Sequence, residues 1–370
     1  MSNVTAGATL LLESITTNAS TVVNDVDTSV YYDVEKYSWI IFSPLFLMIG
    51  FVGNLLNICV LFRLKFYKNA TYTLLFILAF TDLTVLFIGL TRYLIKYASE
   101  VDIRVLSEFS CRFSLFLIYF SMQFSSWILV LVTVIRFMKT FVPLRRTASK
   151  DITIKNTLVS LLIAAIMLIG INLHFFWTNG ITDEGSCSSL TPEYYEFDEK
   201  VFVYVDFVFL SILPAGIMIV LNALICYELS KLTKTRRRMS IQSGVSPLRR
   251  QKSTKRVTWM LLVTTSYFIV ATIPISIYFI VDSHVRPGAD ASTESRLDIA
   301  WTITYLFQYS HFALNFYLYT ATNEKFRKEL TALTKNVYQR ISTSSNQPIK
   351  PAPSREYSSD SKKISATQST

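Results

Sequence analysis

The chain of 370 residues is 51% hydrophobic and only 17% charged, with a positive mean hydropathy of +0.37. Soluble globular domains carry about 25% charged residues, so this composition excludes an ordinary soluble enzyme. The formal net charge of +10 would suit a nucleic-acid partner, but the apolar stretches along the chain argue against one.

Seven apolar stretches follow one another, and each is long enough to cross the roughly 30 Å hydrocarbon core of a bilayer as a helix. The predicted fold is an all-α membrane protein with a seven-transmembrane helix bundle over residues 38–320. The predicted spans, numbered one to seven in chain order, are 38–62, 71–94, 111–137, 156–177, 201–228, 257–281 and 298–320.

Charged residues predict the orientation of the bundle. Lys and Arg are concentrated in the connections after the third and fifth spans and after the seventh, whereas acids crowd the connection between the fourth and fifth. An excess of Lys and Arg in short loops marks the cytoplasmic face. We therefore expect an extracellular N-terminus and a cytoplasmic C-terminus, with basic loops that face anionic lipid headgroups and an intracellular protein rather than nucleic acid.

Both chain ends are predicted to lie outside the bundle. Residues 1–37 lack the basic region and apolar run of a signal peptide, and sequons at Asn3 and Asn18 predict a glycosylated extracellular tail. Residues 321–337 place Phe326 and Leu330 on one side and basic residues elsewhere, which is typical of a short amphipathic helix on the inner membrane surface. Residues 338–370 are rich in Ser and Thr and predict a disordered cytoplasmic tail suited to phosphorylation.

Two of the four cysteines are predicted to form a disulfide. Cys111 and Cys187 fall outside the hydrocarbon on the predicted extracellular side, where a disulfide forms and persists. Cys59 and Cys226 lie within spans and are interpreted as small apolar packing residues.

Polar residues within the spans are candidates for function. Asp82 lies at mid-depth of the second span with no basic neighbour in sequence, and an ionisable group there is costly enough to be a functional candidate. Asn54 in the first span also needs a partner, for which we expect Asp82. Pro214 and Pro274 interrupt the fifth and sixth spans and are expected to kink them.

Aromatic and acidic residues are concentrated in the outer halves of the spans. Trp301, Tyr305 and Tyr309 recur on one face of the seventh span, where they either pack in the core or line a cavity. Residues of the sixth span at similar depth favour the cavity. The other residues predicted to line it and bind a ligand are Arg92, Tyr119, Met122, Asp206, Phe279 and Asp282.

The two acids in this set, Asp206 and Asp282, each require a cationic partner, because burying an unpaired carboxylate costs several kcal/mol. Arg92, near the outer end of the second span, is one candidate partner for Asp206 or Asp282. A positively charged ligand is the other.

Arranged in this order, the residues resemble the rhodopsin-like (class A) family of G-protein-coupled receptors over residues 38–335. The run FLIYFSMQFSSWILVLVTVIRF and the ending LNFYLYTATNEKFRKEL are most similar to invertebrate neuropeptide receptors, including the FMRFamide type. The matching residues are Gly53 with Asn54, Leu78 to Asp82, Cys111 with Cys187, Arg136, Pro214, Pro274, Asn315 with Tyr319, and Phe326.

The resemblance implies a plasma-membrane receptor that binds an extracellular peptide and activates a heterotrimeric G protein, with kinases and arrestin acting at the tail. Arg136 would couple to the G protein, and Pro214, Pro274, Asn315 and Tyr319 would belong to the activation switch. No organic cofactor is expected, although the family's sodium site allows a sodium ion at Asp82. The polar cluster around that site would contain Asn54, Asp82, Ser125, His311 and Asn315.

Several positions depart from the family pattern. Ile135 replaces the acid that usually precedes Arg136, Phe316 replaces the proline after Asn315, and Thr272 replaces a tryptophan near Pro274. These departures keep open a receptor-like protein that binds ligand without coupling.

Several features of the sequence disfavour functions other than a receptor. A transporter is disfavoured by the absence of an internal repeat, and a light sensor by the absence of lysine in 298–320. Ile118 occupies the position where amine receptors of this family carry an aspartate, which disfavours a small amine ligand. No nucleophile–base pair, metal spacing or phosphate loop predicts an enzyme.

Overall fold

The computed structural model describes the backbone of residues 2–141, 153–243 and 249–345, and the side chains of residues 29–141, 153–231, 258–335 and 339. The side chains of Asn3 and Asn18, much of the basic connections and most of the predicted disordered tail lie outside this part of the chain.

Helices make up nearly all of the described chain. From the N-terminus they are α1 (Ser2–Arg63), α2 (Ala70–Val85), α3 (Thr91–Ser99), α4 (Glu108–Phe141), α5 (Ile154–Asn172) and α6 (Phe175–Thr178). After a hairpin of β1 (Asn179–Ile181) and β2 (Cys187–Ser189) come α7 (Pro192–Phe197), α8 (Val203–Asp206), α9 (Leu213–Ser243), α10 (Arg249–Val285), α11 (Ala291–Thr322) and α12 (Glu324–Ser345). Short 3-10 turns cover Phe66–Lys68, Ile103–Leu106 and Arg286–Gly288.

The predicted seven-helix bundle is confirmed. Within the described residues, six helical stretches are long and apolar enough to cross a membrane: Ser29–Arg63, Ala70–Ser99, Glu108–Phe141, Ile154–Thr178, Pro192–Lys231 and Thr258–Gly288. The seventh is α11, which packs against α1 and α10 but carries polar side chains such as Gln308, His311 and Asn315 at its buried face. Buried polarity explains why hydropathy alone ranks α11 below the others.

Two of the spans contain π-helical turns, in which each N–H bonds to a carbonyl five residues back. One turn, Leu86–Leu90, joins α2 to α3, and two more, Asp198–Phe202 and Phe207–Ile212, lie on either side of α8. Pro214 follows the last turn and has no N–H to donate. The Phe209 carbonyl, five residues before Pro214, instead accepts a hydrogen bond of 3.0 Å from the indole Nε1 of Trp127 on α4.

The hairpin is attached to one end of the bundle, hereafter the hairpin end. A disulfide joins Cys111 near the start of α4 to Cys187 at the start of β2, which confirms the predicted bridge. The Glu108 carboxylate accepts a hydrogen bond of 3.2 Å from the backbone N–H of Ile181 on β1. Both strands are therefore held against α4.

The opposite end carries Arg136 and is hereafter the Arg136 end. The described chain divides into two units after Leu330: the first holds the bundle, and the second contains the remaining turns of α12. Within the first unit, Asn323 Oδ1 accepts a hydrogen bond of 3.0 Å from the N–H of Lys325 and caps α12. Phe326 is 3% exposed beside Tyr319 and Phe316. The predicted amphipathic helix therefore exists, and it begins at Glu324 and extends to Ser345.

Candidate functional site

A cavity opens among the helices at the hairpin end. Its volume is about 360 Å3, within the roughly 300–1,000 Å3 typical of ligand sites. A second cavity of about 560 Å3 shares Tyr195, Glu199 and Asp282 with the first, so the two adjoin. The predicted residues that line the first cavity are Tyr119, Asp206, Phe279 and Asp282.

Asp206 lines this cavity and is only 6% exposed. Its Oδ1 accepts a hydrogen bond of 2.8 Å from Gln123 Nε2, and Gln123 Oε1 in turn accepts one of 2.6 Å from Asn172 Nδ2. Because both partners are neutral amides, they orient the Asp206 carboxylate without neutralising its charge. In the described part of the chain, no Lys or Arg lies within ion-pair distance of it.

Asp282 has a cationic partner inside the protein. Arg286 Nε lies 2.9 Å from Asp282 Oδ1 and 3.1 Å from Oδ2, and the Tyr278 hydroxyl donates a third hydrogen bond of 2.9 Å. The same guanidinium reaches α11, where Nη2 lies 2.8 Å from Asp298 Oδ1. Arg286 was missed by the sequence analysis because it lies in the turn after the span.

Arg92 pairs with neither Asp206 nor Asp282, so the expectation that it is their cationic partner is wrong. Its guanidinium binds Asp102 on the following loop, with Nη2 to Oδ2 at 3.2 Å, and covers the Tyr93 ring at 4.8 Å. Arg104 also binds Asp102, at 2.8 Å. Burial alone would raise the pKa of Asp102, but hydrogen bonds from Arg104 and the charges of both arginines hold it well below its usual range. A loop acid close in sequence satisfies Arg92 without reaching across the bundle.

The aromatic residues of the seventh span pack against the first span. Trp39 on α1 is completely buried, stacks 4.1 Å from the Tyr93 ring and donates a hydrogen bond of 3.1 Å to Thr302 Oγ1. Its ring centroid is 5.3 Å from Trp301 and 6.3 Å from both Tyr305 and Tyr309. These three residues do not line either cavity described above, so packing, the other sequence interpretation, describes them better.

This aromatic cluster requires a close backbone approach. Tyr309 is fully buried, and its ring lies over Gly89, where any Cβ would collide with it. Met122 is 5% exposed in the same cluster, rather than at a cavity wall. Phe279 lines the first cavity and also contacts Tyr305, with ring centroids 6.2 Å apart. The cluster thus supports the cavity from the side of α1 and α11.

Mid-way along the bundle, a small polar group surrounds Asp82. Its Oδ1 accepts a hydrogen bond of 3.0 Å from Ser125 Oγ, and Oδ2 accepts one of 2.6 Å from Asn315 Nδ2. The expected bond between Asn54 and Asp82 is wrong, because Asn54 Nδ2 donates instead to the carbonyls of Gly50 and Phe312, both at 3.0 Å. His311 is fully buried beside Phe268 and Phe312, and its ring nitrogens have no described partner.

The oxygen atoms around Asp82 fit a sodium ion. Besides the Asp82 carboxylate and the Ser125 hydroxyl, the group includes Asn315 Oδ1, a buried acceptor with no described hydrogen bond. Hard cations prefer such oxygen ligands. Among the described side chains, no group of three or more His, Cys, Asp and Glu is arranged to hold a metal.

At the other end of the bundle, Arg136 is 8% exposed and its Nε has no described hydrogen-bond partner. Ile135, beside it in sequence, is 6% exposed. Within the described residues, no carboxylate lies within 4 Å of the Arg136 guanidinium. Pro274 lies inside α10 and Tyr319 is buried near the end of α11.

Residues that the sequence analysis did not identify complete the cavity. Arg104 comes from the 3-10 turn Ile103–Leu106, Asn179, Ser188 and Ser189 come from the hairpin, and Asp198 begins the π-helical turn Asp198–Phe202. Asp198 Oδ2 accepts hydrogen bonds from Ser189 Oγ at 2.6 Å and Asn179 Nδ2 at 3.4 Å. The available sequence signal for the Asp206 network was Gln123, a polar residue within an apolar span.

Seven membrane helices, a disulfide-anchored hairpin over a cavity and a buried polar core define a seven-helix membrane receptor. The family model described as 7 transmembrane receptor (rhodopsin family) matches residues 53–319. The chain therefore belongs to the rhodopsin family of seven-transmembrane receptors, which are not enzymes. No curated protein matches the chain.

Proposed function

We propose that this chain is a plasma-membrane receptor for a short cationic and aromatic peptide. The hairpin end faces the outside and binds the peptide, and the Arg136 end faces the cytoplasm and activates a heterotrimeric G protein. The Ser/Thr-rich residues 338–370 would then be within reach of kinases and arrestin.

The charge of the cavity walls carries this proposal. Each basic side chain on the walls already has an acidic partner: Arg104 binds Asp102, Arg286 binds Asp282, and Lys200 binds Glu196 at 2.7 Å. Three wall acids have no Lys or Arg within 4 Å among the described residues: Asp198, Glu199 and Asp206. A ligand that enters this cavity meets an excess of negative charge, which favours a cation.

The size and shape of the cavity favour a peptide over a small amine. The two adjoining cavities, about 360 and about 560 Å3, exceed the volume that a small amine fills. The third span carries Ile118 rather than an acid at the amine position, and Ile118 packs in the aromatic cluster. Tyr119, Phe175 and Phe279 offer rings to an aromatic or arginine side chain.

A screen of amidated peptides tests the ligand class. Cells that express the full chain are exposed to peptides ending in Arg-Phe-amide, and to twins in which citrulline replaces arginine. We expect only the arginine peptides to stimulate guanine-nucleotide exchange in membranes. A best agonist without positive charge contradicts the ligand proposal.

The second candidate function is a receptor that binds the peptide but does not couple to a G protein. It is favoured by the buried Arg136, which has no described carboxylate partner. Binding of the peptide without nucleotide exchange would support it.

Introducing an acid beside Arg136 is expected to lower activity in the absence of ligand. In the Ile135→Asp variant, the new carboxylate can pair with the guanidinium and stabilise the inactive arrangement. Ligand-free nucleotide exchange is measured per receptor at the cell surface. Ile135→Asn is the matched control, because it adds a similar polar side chain without charge. Equal exchange in the two variants, or no ligand-free exchange in the parent, contradicts the expectation.

We also propose that a sodium ion binds beside Asp82 and stabilises the inactive receptor. Replacing potassium with sodium at constant ionic strength should then weaken agonist binding by several-fold. Asp82→Asn removes the carboxylate charge and should abolish this difference, because neutral amides hold sodium poorly. A variant that retains the full sodium effect contradicts the proposal.

A further inference from the structure

We infer that Arg286 is a built-in competitor of the ligand, since its guanidinium covers the Asp282 carboxylate that a cationic peptide would otherwise bind. The inference rests on the proposed cationic peptide and adds a residue that sets how tightly, and how selectively, the receptor binds it.

The first support is the position of the ion pair. Asp282 lines both adjoining cavities, and Arg286 lines the larger of the two. Arg286 Nε contacts both carboxylate oxygens of Asp282, at 2.9 and 3.1 Å. A ligand guanidinium that approached Asp282 from the cavity would need the same oxygens.

The second support is that the pair is exposed enough to exchange. The side chains of Arg286 and Asp282 are 35% and 18% exposed, and Arg286 lies in a 3-10 turn rather than inside a helix. Water reaches both members of the pair, so a cation that enters from the cavity can exchange with Arg286 without unfolding the site. Arg286 can keep its 2.8 Å contact with Asp298 while it releases Asp282.

The third support is the surrounding charge. Glu199 lines the same cavity as Arg286 and has no described Lys or Arg partner, so it can receive the displaced guanidinium. Lys200, the other base on that wall, pairs with Glu196 at 2.7 Å and does not contact Asp282. Arg286 is therefore the base that can release Asp282 to the ligand. Arg112, which pairs with Glu108 at 3.0 Å and lines neither cavity, provides the control.

Affinity measurements on the full-length receptor test this inference. The probes are the most potent arginine-containing peptide of the Arg-Phe-amide screen and its citrulline twin, competed against a fluorescent copy of the arginine peptide. Arg286→Gln should tighten binding of the arginine peptide by about 3- to 10-fold and change that of the citrulline twin by less than 2-fold. Arg112→Gln removes the same charge from an ion pair that lines neither cavity and should change neither by more than 2-fold. In an Asp282→Asn background, Arg286→Gln should produce no gain.

The outcomes separate this inference from the proposed function. If wild-type receptor binds both peptides equally, the proposal of a cationic ligand is wrong, and so is the inference that Arg286 competes with it. If wild-type receptor prefers the arginine peptide but Arg286→Gln gives no gain, weakens it, or tightens both peptides equally, only the competitor is wrong. Should Arg286→Gln fail to reach the cell surface, the same affinities are measured with Arg286→Lys. Lysine keeps the charge but cannot bridge two carboxylates as a planar fork, so a smaller gain supports the inference and no gain overturns it.

Discussion

Replacing Cys111 or Cys187 with serine is expected to abolish peptide binding at the cell surface. The disulfide closes a loop with a sequence separation of 76 residues, for which the chain-entropy model gives about 4 kcal/mol. It also anchors a wall of the cavity, because Cys187, Ser188 and Ser189 line it. Surface receptor is counted with an antibody against an N-terminal tag, and binding with a fluorescent peptide.

The free cysteines supply the control for this prediction. Cys226 is exposed on the bundle surface and is not bonded, so Cys226→Ser should leave surface level and affinity unchanged. Both single variants, at Cys111 and Cys187, should fail alike, and the double variant should be no worse than either. Wild-type surface levels and affinity in both single variants would mean that the bridge does not support the site.

The second large effect is expected at the two cavity acids. Asp206→Asn and Asp282→Asn should each weaken an arginine-containing peptide by roughly 10-fold or more, about 1.4 kcal/mol, because each removes a negative charge from a low-dielectric wall. Asn keeps the shape of the side chain, and at position 206 it can still pair with the Gln123 amide. Surface expression should therefore be unchanged, and concentration–response curves should shift without losing their maximum.

A matched control separates local charge from general electrostatics. Glu196→Gln also removes one carboxylate at the cavity, but Glu196 is paired with Lys200 and exposed. It should shift the response by less than 2-fold. If Glu196→Gln and Asp206→Asn shift the response equally, the peptide responds to overall charge and Asp206 does not contact it.

The number and order of the membrane helices could be predicted from the sequence because lipid leaves few alternatives. Every backbone N–H in hydrocarbon must bond within its own helix, so apolar runs translate directly into spans. The disulfide followed equally directly, since only Cys111, at the outer end of the third span, and Cys187 were predicted to lie outside the hydrocarbon. Boundaries were less accurate: helical structure begins at Pro192 rather than 201 and at Ala291 rather than 298, because helices continue past the membrane into water.

Side-chain partners could not be predicted in the same way, because they depend on how each helix is rotated. Asn54 was expected to bond to Asp82, yet its side chain faces the Phe312 carbonyl on α11. An apolar sequence on all sides of a helix gives no periodic signal for its buried face. The burial of Trp39, and hence the packing of Trp301 and Tyr305 against it, could therefore not be predicted from the sequence. Arg92 and Asp282 found partners in loops and turns that the spans exclude, namely Asp102 and Arg286.

The π-helical turns on either side of α8 affect how this receptor is aligned with its relatives. An α-helix rotates about 100° per residue, and a π-helical turn accommodates one extra residue without lengthening the helix by a full step. A gap-free alignment that counts backwards from Pro214 therefore assigns Asp206 to the wrong side of its helix. In a relative whose helix lacks the turn Phe207–Ile212, the residue equivalent to Asp206 in space is offset by one position in sequence. Ligand contacts should therefore be transferred between such receptors by superposition rather than by residue count.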